Sequence, residues 1–161
     1  MKNWLMRWQE LKEKHPKGVL YLISALLPMT IMLVVWFFMG SYPFGNKSLM
    51  AVDFGQQYIS FFGLLKNAIL SGDLSSLTYS FTKSIGGDMI GVLGYYLMSP
   101  FNIIYIILPF KYYGLAVFLT IWLRYGAIGL SFAHLVVKRY KGAESKLWMV
   151  PLFATAYALS G

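Results

Sequence analysis

The feature that most constrains this chain is a long run without a single charged side chain, from Gly18 to Gly40. About 20 apolar residues are enough for a helix to cross the ~30 Å hydrocarbon core of a bilayer. The apolar core of a secretory signal peptide is only ~7–15 residues long and leads to small residues at a cleavage site. This run is longer and ends in aromatic residues. We therefore predict a retained signal anchor that spans the membrane and is kinked at Pro28, as membrane helices tolerate.

The composition agrees with a membrane protein. The 161 residues are 58% hydrophobic and only 12% charged, whereas a soluble domain needs a more charged surface. The formal net charge is +8, but the basic residues cluster beside apolar runs, where they set topology and meet anionic lipid rather than nucleic acid. Cysteine is absent, which excludes disulfides, a thiol nucleophile and a Cys-based metal site. The sequence predicts an all-α polytopic membrane protein.

Two basic clusters predict the orientation. Segment 1–17 carries five Lys or Arg residues and segment 138–146 carries four. Short flanks rich in Lys and Arg stay in the cytoplasm, and both clusters are cytoplasmic only if the apolar stretch 90–110 does not span. That stretch is interrupted by Gly and Pro, and its best unbroken part, 101–108, is far too short to cross a bilayer. We therefore place it on, or dipping into, the outer leaflet.

The predicted order of segments follows from this topology. It is a cytoplasmic N-terminus (1–17), a first span (18–40), a long extracytoplasmic loop (41–112), a second span (113–137), a cytoplasmic basic loop (138–146) and the start of a third span (147–161). Within the loop we expect juxtamembrane amphipathic helices at about 53–70, 74–84 and 90–110. Because the last apolar run stops short of a full span, we interpret the chain as the N-terminal fragment of a longer protein.

An amphipathic pattern opens the loop. Between residues 53 and 70 apolar side chains recur at helical spacing. They are Phe54, Tyr58, Phe61, Phe62, Leu65 and Ile69. The other side is polar and consists of Asp53, Gln56, Gln57, Ser60 and Asn67. The pattern favours a helix that lies flat on the outer membrane surface and ends with Gly72 as its C-cap.

Asp53 has two interpretations that are compatible with each other. The first is a helix N-cap, because Gln56 three residues later completes a capping box worth ~1 kcal/mol. The second is a general base at the membrane surface, where apolar neighbours that exclude water favour proton abstraction. A capped carboxylate is also a well-positioned one, and the local sequence leaves both interpretations open.

Arg124 interrupts the second predicted span near its middle. A cation at that depth costs several kcal/mol unless it faces protein, water or an anion. One interpretation is an ion pair with an acid further along a longer chain, and the other is contact with a lipid phosphate.

The glycines between residues 86 and 94 predict tight turns, not a phosphate-binding loop, because no Gly-Lys-Ser/Thr follows them. Asp88 is more typical of a turn than of a ligand, and no His or second acid stands at ligand spacing beside it. We assign no metal ligand and no cofactor, with a divalent metal left open.

The order of features resembles the GT-C class of membrane glycosyltransferases. The sequence motifs are more similar still to those of one branch, the bacterial YfhO family. The matching pieces are YPFGNKSLMAVDFGQQYISFF, YSFTKSIGGDMIGVLGYYLMSPFN and YALSG. These pieces are spread over nearly the whole chain after residue 40, whereas the first span is similar only in its apolar character.

The resemblance implies a multi-pass enzyme of the bacterial cytoplasmic membrane. Such an enzyme takes a sugar from a polyprenyl-phosphate donor and transfers it, on the outer face, to a cell-envelope glycan acceptor such as teichoic acid. In GT-C enzymes the catalytic acid lies in the first outer loop shortly after the first span, a position that Asp53 matches. Gln56, Gln57 and Tyr58 match the rest of the short motif, and with Arg124 they are our candidate substrate-binding residues. Relatives continue for many more spans, so we expect the fragment alone to be inactive.

A non-enzymatic membrane protein is the alternative. A flippase or transporter subunit for lipid-linked sugars would share the intramembrane Arg124 and the apolar bulk, and would more naturally carry inverted repeats. A structural or assembly factor whose outer loop binds a partner is a further alternative. A reading frame that continues with many more spans beyond Gly161 would favour the enzyme.

Overall fold

A computed structural model of the chain describes residues 15–51, 54–81, 86–146 and 148–160. In these residues the chain forms six α-helices and one short antiparallel hairpin. The helices are α1 (Pro16–Met39), α2 (Ile59–Ser71), α3 (Ile90–Val92), α4 (Ile103–Ile107), α5 (Tyr113–Arg139) and α6 (Met149–Leu159). The strands are β1 (Tyr79–Ser80) and β2 (Gly87–Asp88), in which Tyr79 pairs with Asp88 and Ser80 with Gly87. The predicted all-α class is confirmed, because the hairpin is the one sheet among the described residues.

The chain divides into two compact units, whose boundaries fall within α1 and α5. The anchor unit comprises residues 1–36 and 122–161, and the loop unit comprises residues 37–121. Each unit has its own core.

Two helical stretches are long and apolar enough to cross a membrane, namely Pro16–Met39 and Phe110–Arg139. The 24 residues of α1 reach ~36 Å at ~1.5 Å per residue, which exceeds the ~30 Å hydrocarbon core. These helices correspond to the predicted spans 18–40 and 113–137. Helix α6 has 11 residues and at ~16 Å is shorter than a span. The side of the membrane that each end faces stays a prediction.

Close backbone packing joins α1 and α5 in the anchor unit. A Cβ atom added at Gly129 would overlap the carbonyl oxygen of Ser24, and one added at Gly126 would overlap the Met29 sulfur. The indole Nε1 of Trp122 donates a hydrogen bond to the carbonyl oxygen of Met29 at 3.1 Å. Small residues and interhelical hydrogen bonds are the means by which helices associate in lipid, where the hydrophobic effect supplies no attraction between them.

Aromatic stacking forms the core of the loop unit. The rings of Phe62 in α2 and Tyr105 in α4 stack with centroids 3.9 Å apart and planes 11° from parallel. The Tyr113 hydroxyl donates to the carbonyl oxygen of Tyr105 at 3.2 Å. The predicted apolar face of α2 therefore buries Phe62 and Leu65, whereas Ile69 at the end of the helix is 43% exposed.

The apolar stretch 90–110 is broken into two arms, Ile90–Leu97 and Pro100–Ile107, which meet at 88°. The side-chain amide of Asn102 donates to the carbonyl oxygens of Tyr96 at 2.8 Å and Leu97 at 3.1 Å. Asn102 therefore satisfies two backbone groups that the break removes from the helical ladder. Each arm of eight residues (90 to 97 and 100 to 107) reaches only ~12 Å. By length and composition the bent pair is either one broken span or a re-entrant segment, so the placement of 90–110 on the outer leaflet stays a prediction.

The predicted helix at 74–84 is wrong. Leu74–Leu77 forms a single 3₁₀ turn, and the chain then enters β1; residues 82–85 lie outside the described part. Side chains compete with the helical ladder at this point, because Asp73 accepts from the Ser75 amide at 3.1 Å and Thr78 donates to the Ser75 carbonyl at 2.7 Å.

The predicted helix at 53–70 begins later than expected. A π-helical turn, Phe54–Tyr58, leads into α2 at Ile59. The end is as predicted, since Gly72 caps α2 in the left-handed conformation with φ of 74°.

Candidate functional site

The described residues of the predicted motif, Phe54–Tyr58, form the π-helical turn that precedes α2. The turn begins where the Phe54 amide donates to the Ala51 carbonyl at 3.1 Å. Gly55 packs against the backbone of Met50, since a Cβ atom there would lie 2.9 Å from the Met50 carbonyl oxygen. The side chains of Gln56 and Gln57 are exposed on this turn. They are available to a ligand, as the predicted substrate-binding role requires.

Asp53, the predicted catalytic acid, lies outside the described residues, and so does its predicted role as a helix cap. The described residues on either side of this gap are Ala51 and Phe54.

Tyr58 is half-buried in a group of aromatic rings. Its ring centroid lies 4.6 Å from that of Tyr96, which in turn lies 5.5 Å from Phe61 and 4.5 Å from Tyr95. Tyr95 is 80% exposed, so the group extends from the core to the surface. Tyr58 therefore belongs to the packed side of the segment, as the periodicity predicts, and anchors the motif turn to the first arm of the bent pair.

Arg124 lies on α5 and is half-buried. It belongs to the anchor unit, whereas Gln56, Gln57 and Tyr58 belong to the loop unit. Its predicted contact with a lipid phosphate stays a prediction.

A small pocket of about 280 Å³ opens in the loop unit. We call it the Lys111 pocket. Its lining is formed by Tyr42, Asn46, Ser48, Leu49, Met50, Lys111 and Gly114. Sequence reasoning missed it. The sequence contains one indication of it, which is that the lining residues directly follow the first span or flank the start of the second.

Backbone hydrogen bonds join the two ends of the loop that forms one wall of this pocket. The Tyr42 amide donates to the Lys47 carbonyl at 2.8 Å, and the Lys47 amide donates to the Gly40 carbonyl at 3.1 Å. The Phe44 ring lies 5.9 Å from Phe37 and 6.2 Å from Phe118, which holds the loop against the ends of both long helices. The wall is therefore built by backbone bonds and aromatic packing.

The opposite wall is the start of α5. An added Cβ atom at Gly114 would lie 3.7 Å from the Tyr42 ring and 4.0 Å from the Met50 methyl group. The Lys111 ammonium lies 4.8 Å from the centroid of the Tyr112 ring, a cation–π distance that restrains its position. Lys111 thus lines the pocket and has its ammonium beside the Tyr112 ring.

Lys66 is a second residue that sequence reasoning missed. Its side chain is only 8% exposed. The ammonium donates to the Leu108 carbonyl oxygen and lies 5.2 Å from the Phe110 ring centroid. Lys66 therefore ties α2 to the segment between α4 and α5.

No group of three or more His, Asp or Glu side chains that could hold a metal ion occurs among residues 15–51, 54–81, 86–146 and 148–160. Asp88 serves a local role there, because its carboxylate accepts a hydrogen bond from the Ile90 amide at 3.0 Å and so orients the start of α3.

A protein-family model matches most of the chain. The family described as bacterial membrane protein YfhO matches residues 24–161. No curated protein and no solved structure matches the chain.

Proposed function

The chain belongs to the YfhO family of bacterial membrane proteins, and from that premise we propose that it is part of a glycosyltransferase that uses a polyprenyl-phosphate sugar donor. The acceptor is a cell-envelope glycan such as teichoic acid, and transfer takes place on the outer face of the cytoplasmic membrane. The observation that carries the proposal is the exposed pair Gln56 and Gln57 on the turn directly after Asp53, in the loop between two helices long enough to span.

In the proposed mechanism Asp53 takes the proton of an acceptor hydroxyl. The hydroxyl oxygen attacks the anomeric carbon of the donor sugar and forms the new glycosidic bond. The bond between that carbon and the phosphate oxygen breaks, and polyprenyl phosphate leaves with the electron pair. A carboxylate is the group suited to this proton transfer, and a cation stabilises the charge that develops on the leaving phosphate.

Two sets of residues support the reaction in this proposal. Gln56 and Gln57 hydrogen-bond the sugar or the acceptor, and Tyr58 positions the turn through its packing on Tyr96. Arg124 faces a lipid phosphate within the membrane, since a cation at that depth needs an anion, protein or water beside it.

The test is transfer of labelled sugar from a polyprenyl-phosphate donor in membranes that contain the protein expressed from its full reading frame. We expect Asp53→Asn to abolish transfer while the protein still folds and inserts. Wild-type turnover by this variant would refute the catalytic assignment. Movement of intact lipid-linked sugar across the membrane without transfer would instead support the flippase alternative.

A further inference from the structure

We propose that the Lys111 pocket binds the phosphate group of an amphiphile at the membrane surface, with Lys111 as its cation. This inference rests on the proposed function in one respect, since it identifies the lipid as the polyprenyl phosphate of the donor. The phosphate chemistry itself comes from the pocket.

The pocket is lined by donors suited to an anion. Lys111 presents an ammonium with three N–H groups, and Asn46 presents a side-chain amide. The Ser48 hydroxyl oxygen accepts from the Met50 amide at 2.9 Å, and the hydroxyl still has one proton to donate. None of the seven described residues that line the pocket is acidic. The pocket also lies at the amino end of α5, where the helix dipole favours negative charge.

The size and the apolar part of the wall favour a lipid headgroup. At about 280 Å³ the pocket is smaller than the ~300–1,000 Å³ sites that take drug-sized ligands. Leu49, Met50 and the Tyr42 ring supply apolar surface beside the donors. A phosphate together with the first carbons of a lipid stem matches this combination.

The position of the pocket relates it to the predicted motif. Met50 lines the pocket, and its carbonyl oxygen lies against Gly55 of the motif turn. The pocket and the turn that carries Gln56 and Gln57 therefore both contact Met50. This gives Lys111 the role of orienting the donor through its phosphate.

The test measures binding of a polyprenyl monophosphate to the full chain in nanodiscs of phosphatidylcholine. We expect Lys111→Ala to weaken binding about tenfold, because a charge-assisted hydrogen bond is lost, and Lys111→Arg to retain most of it. Lys47→Ala is the matched control, since Lys47 is also exposed on the loop unit but does not line the pocket; it should change the Kd less than twofold. Equal losses at both lysines would overturn the proposal.

A second variant tests the pocket without changing charge. Gly114→Leu adds a side chain beside Tyr42 and Met50, whereas Gly114→Ala meets only ordinary van der Waals contacts. We expect the leucine variant to abolish binding and the alanine variant to keep it. Binding that survives the leucine substitution in a folded protein would overturn the proposal.

Two competitors identify the source of the phosphate. Neutral polyprenol should bind at least tenfold more weakly than the monophosphate, and inorganic phosphate should compete only in large excess if the ligand is a lipid headgroup. Competition by inorganic phosphate at equal concentration would support the phosphate site and assign it to a soluble anion. Equal binding of the neutral polyprenol would overturn the phosphate site.

Asp53→Asn separates this proposal from the proposed function, because it should abolish transfer and leave binding unchanged. If the wild-type protein binds the phosphate through Lys111 but transfers no sugar, the phosphate site stands and the glycosyltransferase proposal is refuted. If Lys111→Ala keeps both sugar transfer and phosphate binding unchanged, the phosphate site is refuted and the proposed glycosyltransferase stands.

Discussion

Gly129 of α5 lies against the carbonyl oxygen of Ser24 in α1, so closely that a Cβ atom at position 129 would overlap that oxygen. Helical hydrogen bonds join the N–H of one residue to the carbonyl four residues earlier, and Pro28 has no N–H to offer Ser24. The carbonyl that the proline leaves without its helical donor is thus the one that the glycine backbone covers. A Cα–H···O contact is the interaction open to it there.

We expect Gly129→Ala to lower the free energy of unfolding of the anchor unit. Alanine is the better helix former by ~1 kcal/mol, but its methyl group would push against a backbone oxygen and the Pro28 ring, and overpacking of this kind costs ~1–3 kcal/mol. The net effect is destabilisation. Reversible unfolding in detergent micelles, followed by tryptophan fluorescence, measures it.

Gly126→Ala is the matched control for this prediction. The nearest atom to an added methyl group there is the sulfur of Met29, which is part of a flexible side chain and can move aside. We expect a smaller loss than at Gly129, or a slight gain from helix propensity. A loss at Gly126 that equals the loss at Gly129 would contradict the explanation through the Ser24 carbonyl.

Lys66→Met should destabilise the loop unit. Methionine keeps much of the apolar stem but removes the ammonium, which donates to the Leu108 carbonyl and lies over the Phe110 ring. Loss of a buried donor costs ~1–3 kcal/mol. We expect faster hydrogen exchange at the amides of residues 104–112.

Lys47→Met provides the comparison for Lys66, because it removes the same charge from an exposed side chain. It should leave exchange at residues 104–112 unchanged. If both variants accelerated exchange alike, net charge rather than the Leu108 contact would be the cause.

The two long helices and the buried side of α2 could be predicted because their signals are local. A long apolar run, interrupted in the second helix only by Arg124, favours a span in a bilayer, and periodic apolar residues such as Phe62 and Leu65 have one face to bury. The helix predicted at 74–84 failed for an equally local reason. Asp73 and Thr78 bond the backbone through their side chains, and such bonds compete with a helix.

The contacts at the candidate sites could not be predicted from pattern alone. Lys66 meets the Leu108 carbonyl 42 residues later in the chain, and a lysine in a polar-looking loop gives no sign that it will be buried. The Lys111 pocket joins Asn46 and Ser48 to a residue at the far end of the loop. Such pairings join residues that are far apart in the chain, and no local periodicity encodes them.

Asn102→Asp should loosen that bend. The substitution replaces an amide that donates to the carbonyls of Tyr96 and Leu97 with a carboxylate that has no donor when ionised. Two carbonyl oxygens would then face a negative charge in a buried place, at a cost of ~1–3 kcal/mol. We expect a lower melting temperature, measured by circular dichroism.

Asn102→Leu tests whether the donors or the volume of Asn102 matter. It removes the donors without adding a charge, so its melting temperature should lie between that of Asn102→Asp and that of the wild type. A leucine variant as stable as the wild type would show that the Tyr96 and Leu97 carbonyls do not need the amide.

Single-cysteine labelling tests the predicted topology, and the chain suits it because it has no native cysteine. Lys111 and Lys141 are both exposed and stand at opposite ends of α5. With segment 1–17 in the cytoplasm, as its basic charge predicts, Lys111→Cys should react with a membrane-impermeant maleimide in intact cells. Lys141→Cys should react only after the membrane is permeabilised.

The opposite labelling pattern would mean that the bent pair crosses the membrane. Its two arms would then count as one broken span, position 111 would be cytoplasmic and position 141 would lie outside. The two arms together are long and apolar enough to count as one broken span, so the labelling pattern decides between this topology and the predicted one. Labelling at position 111 in intact cells would also place the Lys111 pocket on the outer face, where the proposed donor phosphate is bound.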